Sequence, residues 1–255
     1  MAGEICLPTD RRPIGTTLGR QLAAEPVSPY VALCMDFVFM LTRSDQTVPD
    51  CLEVLDDIGP LGLTHIGFKD VGVTPDVLAE LSRRIKDAGA TSYMEVVSTS
   101  HEACLRSARV ARDIAIDRLL GGTQVDEVLE ILADSSVRYL PFPGRPFDHP
   151  TKLAGTAQQI EDDCRRFGAL GCAGVDLLAY RATEADPLEL VRAARRGTDG
   201  MLLVAGSVQR VDQIRALAAA GADAFTIGSA VFDGSFSPRM GSLRSQLKAV
   251  LDACR

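Results

Sequence analysis

Short apolar runs alternate with longer stretches of helical spacing along most of this chain. The runs are "YVALCMDFV" from Tyr30, "THIGFKD" from Thr64, "TSYMEVV" from Thr91, "IAIDRLLG" from Ile114, "VRYLPFP" from Val137, "GVDLLAY" from Gly174, "GMLLVAG" from Gly200 and "DAFTIG" from Asp223. Each reads as a strand. Between them, segments such as "TPDVLAELSRRIKDAG" and "SVQRVDQIRALAAAG" repeat apolar residues every three to four positions. Many open on Thr, Ser or Asp and close on Gly, the residue types that satisfy loose backbone groups at helix ends.

Mostly apolar strands that alternate with helices imply a parallel sheet covered by helices, because a parallel crossover needs a helix-length connection. Eight such units predict an α/β fold, a single (β/α)8 TIM barrel over residues 30–255, with residues 1–29 as an N-terminal extension. An open dinucleotide-binding sheet is the alternative. No G-x-G-x-x-G turn follows the first strand, which removes its main support.

Composition narrows the function classes. At 255 residues and 46% hydrophobic the chain can bury one large core. A formal charge of −7 argues against a nucleic-acid surface, though a local pocket can still be positive. No segment offers the roughly 20 uninterrupted apolar residues of a membrane helix, and the N-terminus lacks the apolar run of a secretion signal, so a cytoplasmic protein is expected. The seven cysteines are scattered and form no C-x-x-C pair, so neither disulfides nor a metal site is signalled, and no cofactor is implied. Cys34 alone lies beside candidate chemistry, as a possible nucleophile in the first strand.

Two apolar runs near the C-terminus stop at Gly-Ser pairs, Gly206-Ser207 and Gly228-Ser229. In a (β/α)8 barrel the loops after the seventh and eighth strands meet at the catalytic face, where backbone N–H groups can point at a phosphate. A pair of equivalent stops on adjacent strands suits such a cup. The stretch "LLVAGSVQRVDQIRALAAAGADAFTIGSAVFDGSF" also resembles the same region of ribulose-phosphate-binding barrels, notably the phosphoribosylformimino isomerase and cyclase of histidine biosynthesis. The resemblance implies phosphate contact at Gly206, Ser207, Gly228 and Ser229. It covers the last third of the chain and does not specify the reaction.

Charged residues inside apolar strands supply the candidate chemistry, since burying a charge is costly unless it is paired or used. Lys69 is the expected reactive centre, assisted by Asp36 and Glu95; Asp176 divides evenly between site and core pairing. The resemblance gives Asp36 an acid/base role, whereas the second acidic catalyst of that family, on the fifth strand, has no counterpart in "VRYLPFPGRP". Arg145, in a long loop after the fifth strand, together with Tyr180 and Arg181 after the sixth, is expected to bind substrate. His65 and His101 read as core or surface residues.

The resulting expectation is an enzyme acting on a small phosphorylated sugar or sugar-derived metabolite. Its chemistry would be acid/base, as in an isomerase or epimerase, or lysine-assisted, as in an aldolase or lyase working through a Schiff base. The alternative from another class is a non-catalytic barrel that binds a phosphorylated ligand or serves assembly. A homo-oligomer is compatible with either.

Overall fold

The computed structural model of the protein describes residues 35–98 and 100–255. The extension at 1–29, the residues from Tyr30 in the first apolar run and Cys34 lie outside the described residues. Eight parallel strands form the barrel: β1 (Asp36–Met40), β2 (His65–Lys69), β3 (Thr91–Glu95), β4 (Arg118–Leu120), β5 (Arg138–Leu140), β6 (Gly174–Leu177), β7 (Met201–Val204) and β8 (Ala224–Ile227). They neighbour one another in chain order, with β8 beside β1. Backbone bonds from Ala173 N–H to Tyr139 O (2.9 Å) and from Asp176 N–H to Pro141 O (3.0 Å) join β6 to β5 and complete the ring.

Helices cover the outside: α1 (Cys51–Ile58), α2 (Pro75–Asp87), α3 (His101–Asp113), α4 (Val125–Leu132), α5 (Ala157–Ala169), α6 (Pro187–Gly197), α7 (Val211–Ala220) and α8 (Leu243–Ala253). Their ends follow from local chemistry. Asp186 caps α6 by accepting the N–H groups of Leu188 and Glu189, and Pro187 fills a position whose N–H would have no partner. Thr156 and Gln159 form a reciprocal capping box on α5.

Strand alternation divides the residues into two sets. Phe37, Phe68, Met94, Leu119, Val175, Leu202 and Phe225 point outward and are buried beneath the helices, with Phe37 and Phe225 stacked at 5.4 Å. The register carries the inward set around the ring, from Met40 to Gly67, from Lys69 through Glu95 and Leu120 to Leu140, and from Asp176 to Leu203. The lumen is therefore apolar at mid-height and charged towards the strand C-termini.

Two hairpins interrupt the simple alternation. One, Thr42–Arg43 with Gln46–Thr47, follows β1; the other, Arg145–Phe147 with Lys152–Ala154, follows β5 in the segment expected to be a long loop. Asp36 also departs from expectation. It opens β1 and lies at the N-terminal end of the barrel, because the run that forms the strand is the buried "FVFM" after it.

Close backbone approach fixes some glycines. A Cβ on Gly174 would lie 2.0 Å from the Met201 carbonyl oxygen, so a side chain there would force β6 and β7 apart. Gly168, inside α5, has nothing within 4 Å of the equivalent point. Gly174→Ala is expected to lower unfolding free energy by at least about 2 kcal/mol, while Gly168→Ala should raise it by about 0.5–1 kcal/mol. Denaturant titration of both variants checks this contrast, and equal effects would contradict the packing described.

Candidate active site at the C-terminal mouth

The hairpin after β1 builds the site onto the end of β2. Thr47 Oγ1 accepts the Lys69 N–H and donates to the Lys69 carbonyl, each at 2.8 Å, which extends the hydrogen bonding of β2 past its neighbours. The tip of the hairpin is Ser44-Asp45, both with positive φ (50° and 59°). Such a tip matches the twist of a tight hairpin, and Asp tolerates the left-handed region better than most residues. This turn aims Asp45 into the barrel mouth.

Lys69 is 6% exposed, and its Nζ lies 2.8 Å from Asp45 Oδ1 and 3.2 Å from Glu95 Oε1. Burial by itself would favour loss of the proton. The flanking Glu95 and Asp45 outweigh it and raise the Lys69 ammonium above the usual lysine range. Arg181, on the short turn after β6, donates to both Asp45 oxygens at 3.1 and 3.4 Å and to the Thr151 carbonyl at 3.2 Å. Asp45 is thus shared by two cations. Although burial would raise its carboxyl, Lys69 and Arg181 bring it down to about 2.

A cavity of about 180 Å³ opens on this cluster. Lys69, Glu95 and Arg181 line it together with residues 206–209 and 226–230, so both Gly-Ser stops and the charged cluster face one space. Among the described residues, the N–H groups of Ser207, Val208, Ser229 and Ala230 have no loop or side-chain acceptor. Positive φ at Gly206 (79°) and Ser207 (63°) turns the first loop, whose far side is held by Gln213 Oε1 on the N–H groups of Gln209 and Arg210. Free N–H groups make a favourable anion environment, beside Lys69 and Arg181, which are themselves paired with Asp45 and Glu95.

The two glycines have packing roles as well. A Cβ on Gly206 would lie 2.7 Å from Arg181 Nε, and one on Gly228 would lie 2.5 Å from Thr42 Oγ1 and 2.8 Å from the Thr42 carbonyl oxygen. Replacing Gly228 would therefore disturb the packing against Thr42.

The sequence candidates separate clearly. Lys69, Glu95, Gly206, Ser207, Gly228, Ser229 and Arg181 come together at the cavity. Asp176, third in β6, is fully buried, and the charges that act on it are those of Glu95, Lys69 and Arg181. Asp36 is not part of the group; at the opposite end of the barrel it lies 3.5 Å from His65 Nε2, which corrects the role expected of it. Arg145 is exposed on the second hairpin and pairs with Glu184 and Gln159, since the hairpin directs it outward. Tyr180 misses the cavity too, and its hydroxyl senses Asp212 and Arg210 at the start of α7.

Asp45 was missed by sequence reasoning. Its signal lies in "TRSDQT", two threonines around a polar two-residue turn, which reads as solvent-facing until the hairpin is known to fold over the barrel.

No family model and no curated protein sequence matches the chain. Solved structures do. Orotidine 5'-phosphate decarboxylase from Pyrococcus horikoshii OT3 is 15% identical with a TM-score of 0.58, the match covering 86% of this chain and 99% of that one. The tryptophan synthase complex from Pyrococcus furiosus gives 12% identity and a TM-score of 0.60 over 85% and 98%. FabK from Thermotoga maritima gives 13% and 0.53 over 78% of this chain and 60% of its own. These neighbours are enzymes, and what they share with the chain is the fold. The (β/α)8 barrel expected from the alternation of strands and helices is thus present.

The shared Asp45 has a consequence in acid. A carboxyl with a folded value below its unfolded one stabilises fully above the ordinary range, and the stabilisation disappears as pH falls from the usual 3.8 towards 2. The linked contribution is about 2 kcal/mol. The stability advantage of the native protein over Asp45→Asn should therefore shrink between about pH 5 and pH 2. Denaturant midpoints across that range measure it; a constant difference would show that Asp45 is not held by the two cations.

Proposed function

We propose that the protein is an enzyme that moves a proton at a carbon next to a carbonyl in a small phosphorylated metabolite, as an isomerase or epimerase does. The carrying observation is the Lys69 ammonium, held between Asp45 and Glu95 on the wall of the cavity that the two Gly-Ser loops also line. The loops and Arg181 would take the phosphate. Glu95, at 3.2 Å from Lys69, would take the proton from carbon. The electron pair then moves to the carbonyl oxygen, where the ammonium stabilises the developing negative charge. Protonation of the neighbouring carbon, with the hydroxyl proton of the deprotonated carbon passing to the former carbonyl oxygen, would complete an isomerisation, and protonation of the same carbon from its opposite face would complete an epimerisation.

The lysine's protonation favours this reading over imine chemistry. An amine must lose its proton before it can add to a carbonyl, and reactive lysines are usually tuned downward by apolar burial or a nearby cation. Here two carboxylates hold the proton on.

The test is exchange of carbon-bound hydrogen with D2O, followed by NMR, across phosphorylated hydroxyketones that include dihydroxyacetone phosphate and ribulose 5-phosphate. Exchange is expected with at least one, and Lys69→Met or Glu95→Gln should each slow it by roughly a hundredfold or more. Borohydride added with the ligand should leave the protein mass unchanged. A trapped adduct on Lys69 would replace this reading by an imine mechanism, and undiminished exchange in a folded Lys69→Met protein would remove Lys69 from the chemistry.

Ligand binding offers a separate check. Arg181→Ala should weaken inorganic phosphate binding by about 10- to 100-fold, the scale of one lost charge-assisted contact. Calorimetric titration measures this; unchanged affinity would move the anion site away from the cavity.

A further inference from the structure

Asp70 directly follows Lys69, and both its backbone and its side chain bond to the neighbouring strand end. Its N–H donates to the Glu95 carbonyl at 3.2 Å, and its Oδ1 accepts the Val97 N–H at 3.0 Å. One residue therefore holds the chain at Glu95 and again two positions further on. Between these points the Leu120 carbonyl accepts the Val96 N–H at 2.9 Å.

The paired register of β2 and β3 stops at Lys69 and Glu95, and β3 itself ends there. Beyond that pair it is the Asp70 carboxyl that continues the cross-strand bonding. The carboxyl is anchored in turn: its other oxygen accepts the hydroxyl of Ser107, which is buried on α3 and also lies 2.9 Å from the Ala103 carbonyl. Asp70 is half-buried and does not line the cavity, so among the described residues its contacts run to the wall of the site and not to its open space. Glu95 is the group that this wall presents, with Oε1 at 3.2 Å from Lys69 Nζ.

We propose that Asp70 is a positioning residue for Glu95: its carboxyl prolongs the bonding of β2 to β3 past the last register pair and so holds the Glu95 carboxylate against the Lys69 ammonium. The consequence for turnover rests on reading Glu95 as the proton acceptor of the site, whereas the placement of Glu95 does not. A side chain that moves a proton must be held close to its productive geometry by groups that do not themselves react. Asparagine can reproduce the arrangement without the charge, because Oδ1 can accept the Val97 N–H while Nδ2 donates to Ser107 Oγ, whose own hydrogen goes to the Ala103 carbonyl. Alanine can make neither bond, yet its N–H still reaches the Glu95 carbonyl. The pair of variants separates the hold on Val97 from the charge.

NMR titration of the Lys69 Nζ resonance in the full chain, assigned with Lys69→Met, reads the position of Glu95 without any ligand. Asp70→Ala should lower the Lys69 midpoint by at least about half a pH unit, because an opposite charge drawn away no longer favours the ammonium. Asp70→Asn should leave the midpoint near its native value. An unmoved midpoint in Asp70→Ala would overturn the proposal, and so would an equal drop in both variants, which would trace the effect to the charge of Asp70 itself. Should Asp70→Ala fail to fold, Asp70→Ser takes its place with the same expected drop, since its hydroxyl can still meet Ser107 but ends one bond short of Val97.

Turnover gives a second readout. With dihydroxyacetone phosphate or ribulose 5-phosphate, whichever exchanges hydrogen in D2O, Asp70→Ala should lower kcat at least about tenfold and leave KM within about twofold, and Asp70→Asn should restore most of the rate. A raised KM with kcat kept would overturn the role. A lowered Lys69 midpoint without exchange on any ligand would defeat the proposed reaction alone and support the placement of Glu95; exchange with an unmoved Lys69 midpoint would defeat the positioning role alone.

Discussion

The Lys69 ammonium at the end of β2, gripped by Asp45 on one side and Glu95 on the other, organises the mouth of this barrel. A buried cation is tolerated only when its counter-charges are close and fixed. Here the fixing comes from hydrogen-bonded β-structure. Glu95 is the register partner of Lys69 on the adjacent strand, and Asp45 sits on a hairpin whose Thr47 is bonded to the Lys69 backbone itself. Lys69, Glu95 and Asp45 are therefore positioned by one short piece of β-structure. Arg181 joins them through Asp45, which ties the β1 hairpin to the turn after β6 across the mouth.

The same economy governs the cup. Gly206 gives room to Arg181, and Gly228 gives room to Thr42, so both glycines let the surrounding structure approach the loops closely. The charged cluster and both Gly-Ser loops consequently line one cavity of about 180 Å³. Met40, Leu120, Leu140 and Leu203 are buried on the lumen-facing side of the barrel wall.

Most of the barrel was legible in the sequence because strands and helices alternate with clear caps, and because the Gly-Ser stops fall at equivalent positions on consecutive units. Lys69, Glu95 and Arg181 were legible for a related reason: each is charged at or just after the end of an apolar run. Asp36 misled. An aspartate in the middle of "LCMDFV" looks central, but the strand begins at it, and one misplaced boundary moves a residue to the other end of a barrel. Arg145 and Tyr180 were read from proximity in sequence to the mouth, which says nothing of the direction in which a hairpin or a 3-10 turn aims a side chain. Asp45 was hidden because a polar turn gives no sign of folding inward; only the tertiary bonds of Thr47 reveal it.

The protonation of Lys69 is the point on which the account turns, since an ammonium stabilises an enolate and a free amine would form an imine. NMR titration of the Lys69 Nζ resonance, assigned by comparison with Lys69→Met, measures it directly. The expected result is a lysine that stays charged beyond the ordinary midpoint of about pH 10.4, with Asp45→Asn shifting it downward. A lysine that loses its proton well below that midpoint would contradict the account and make the imine chemistry the better description of this site.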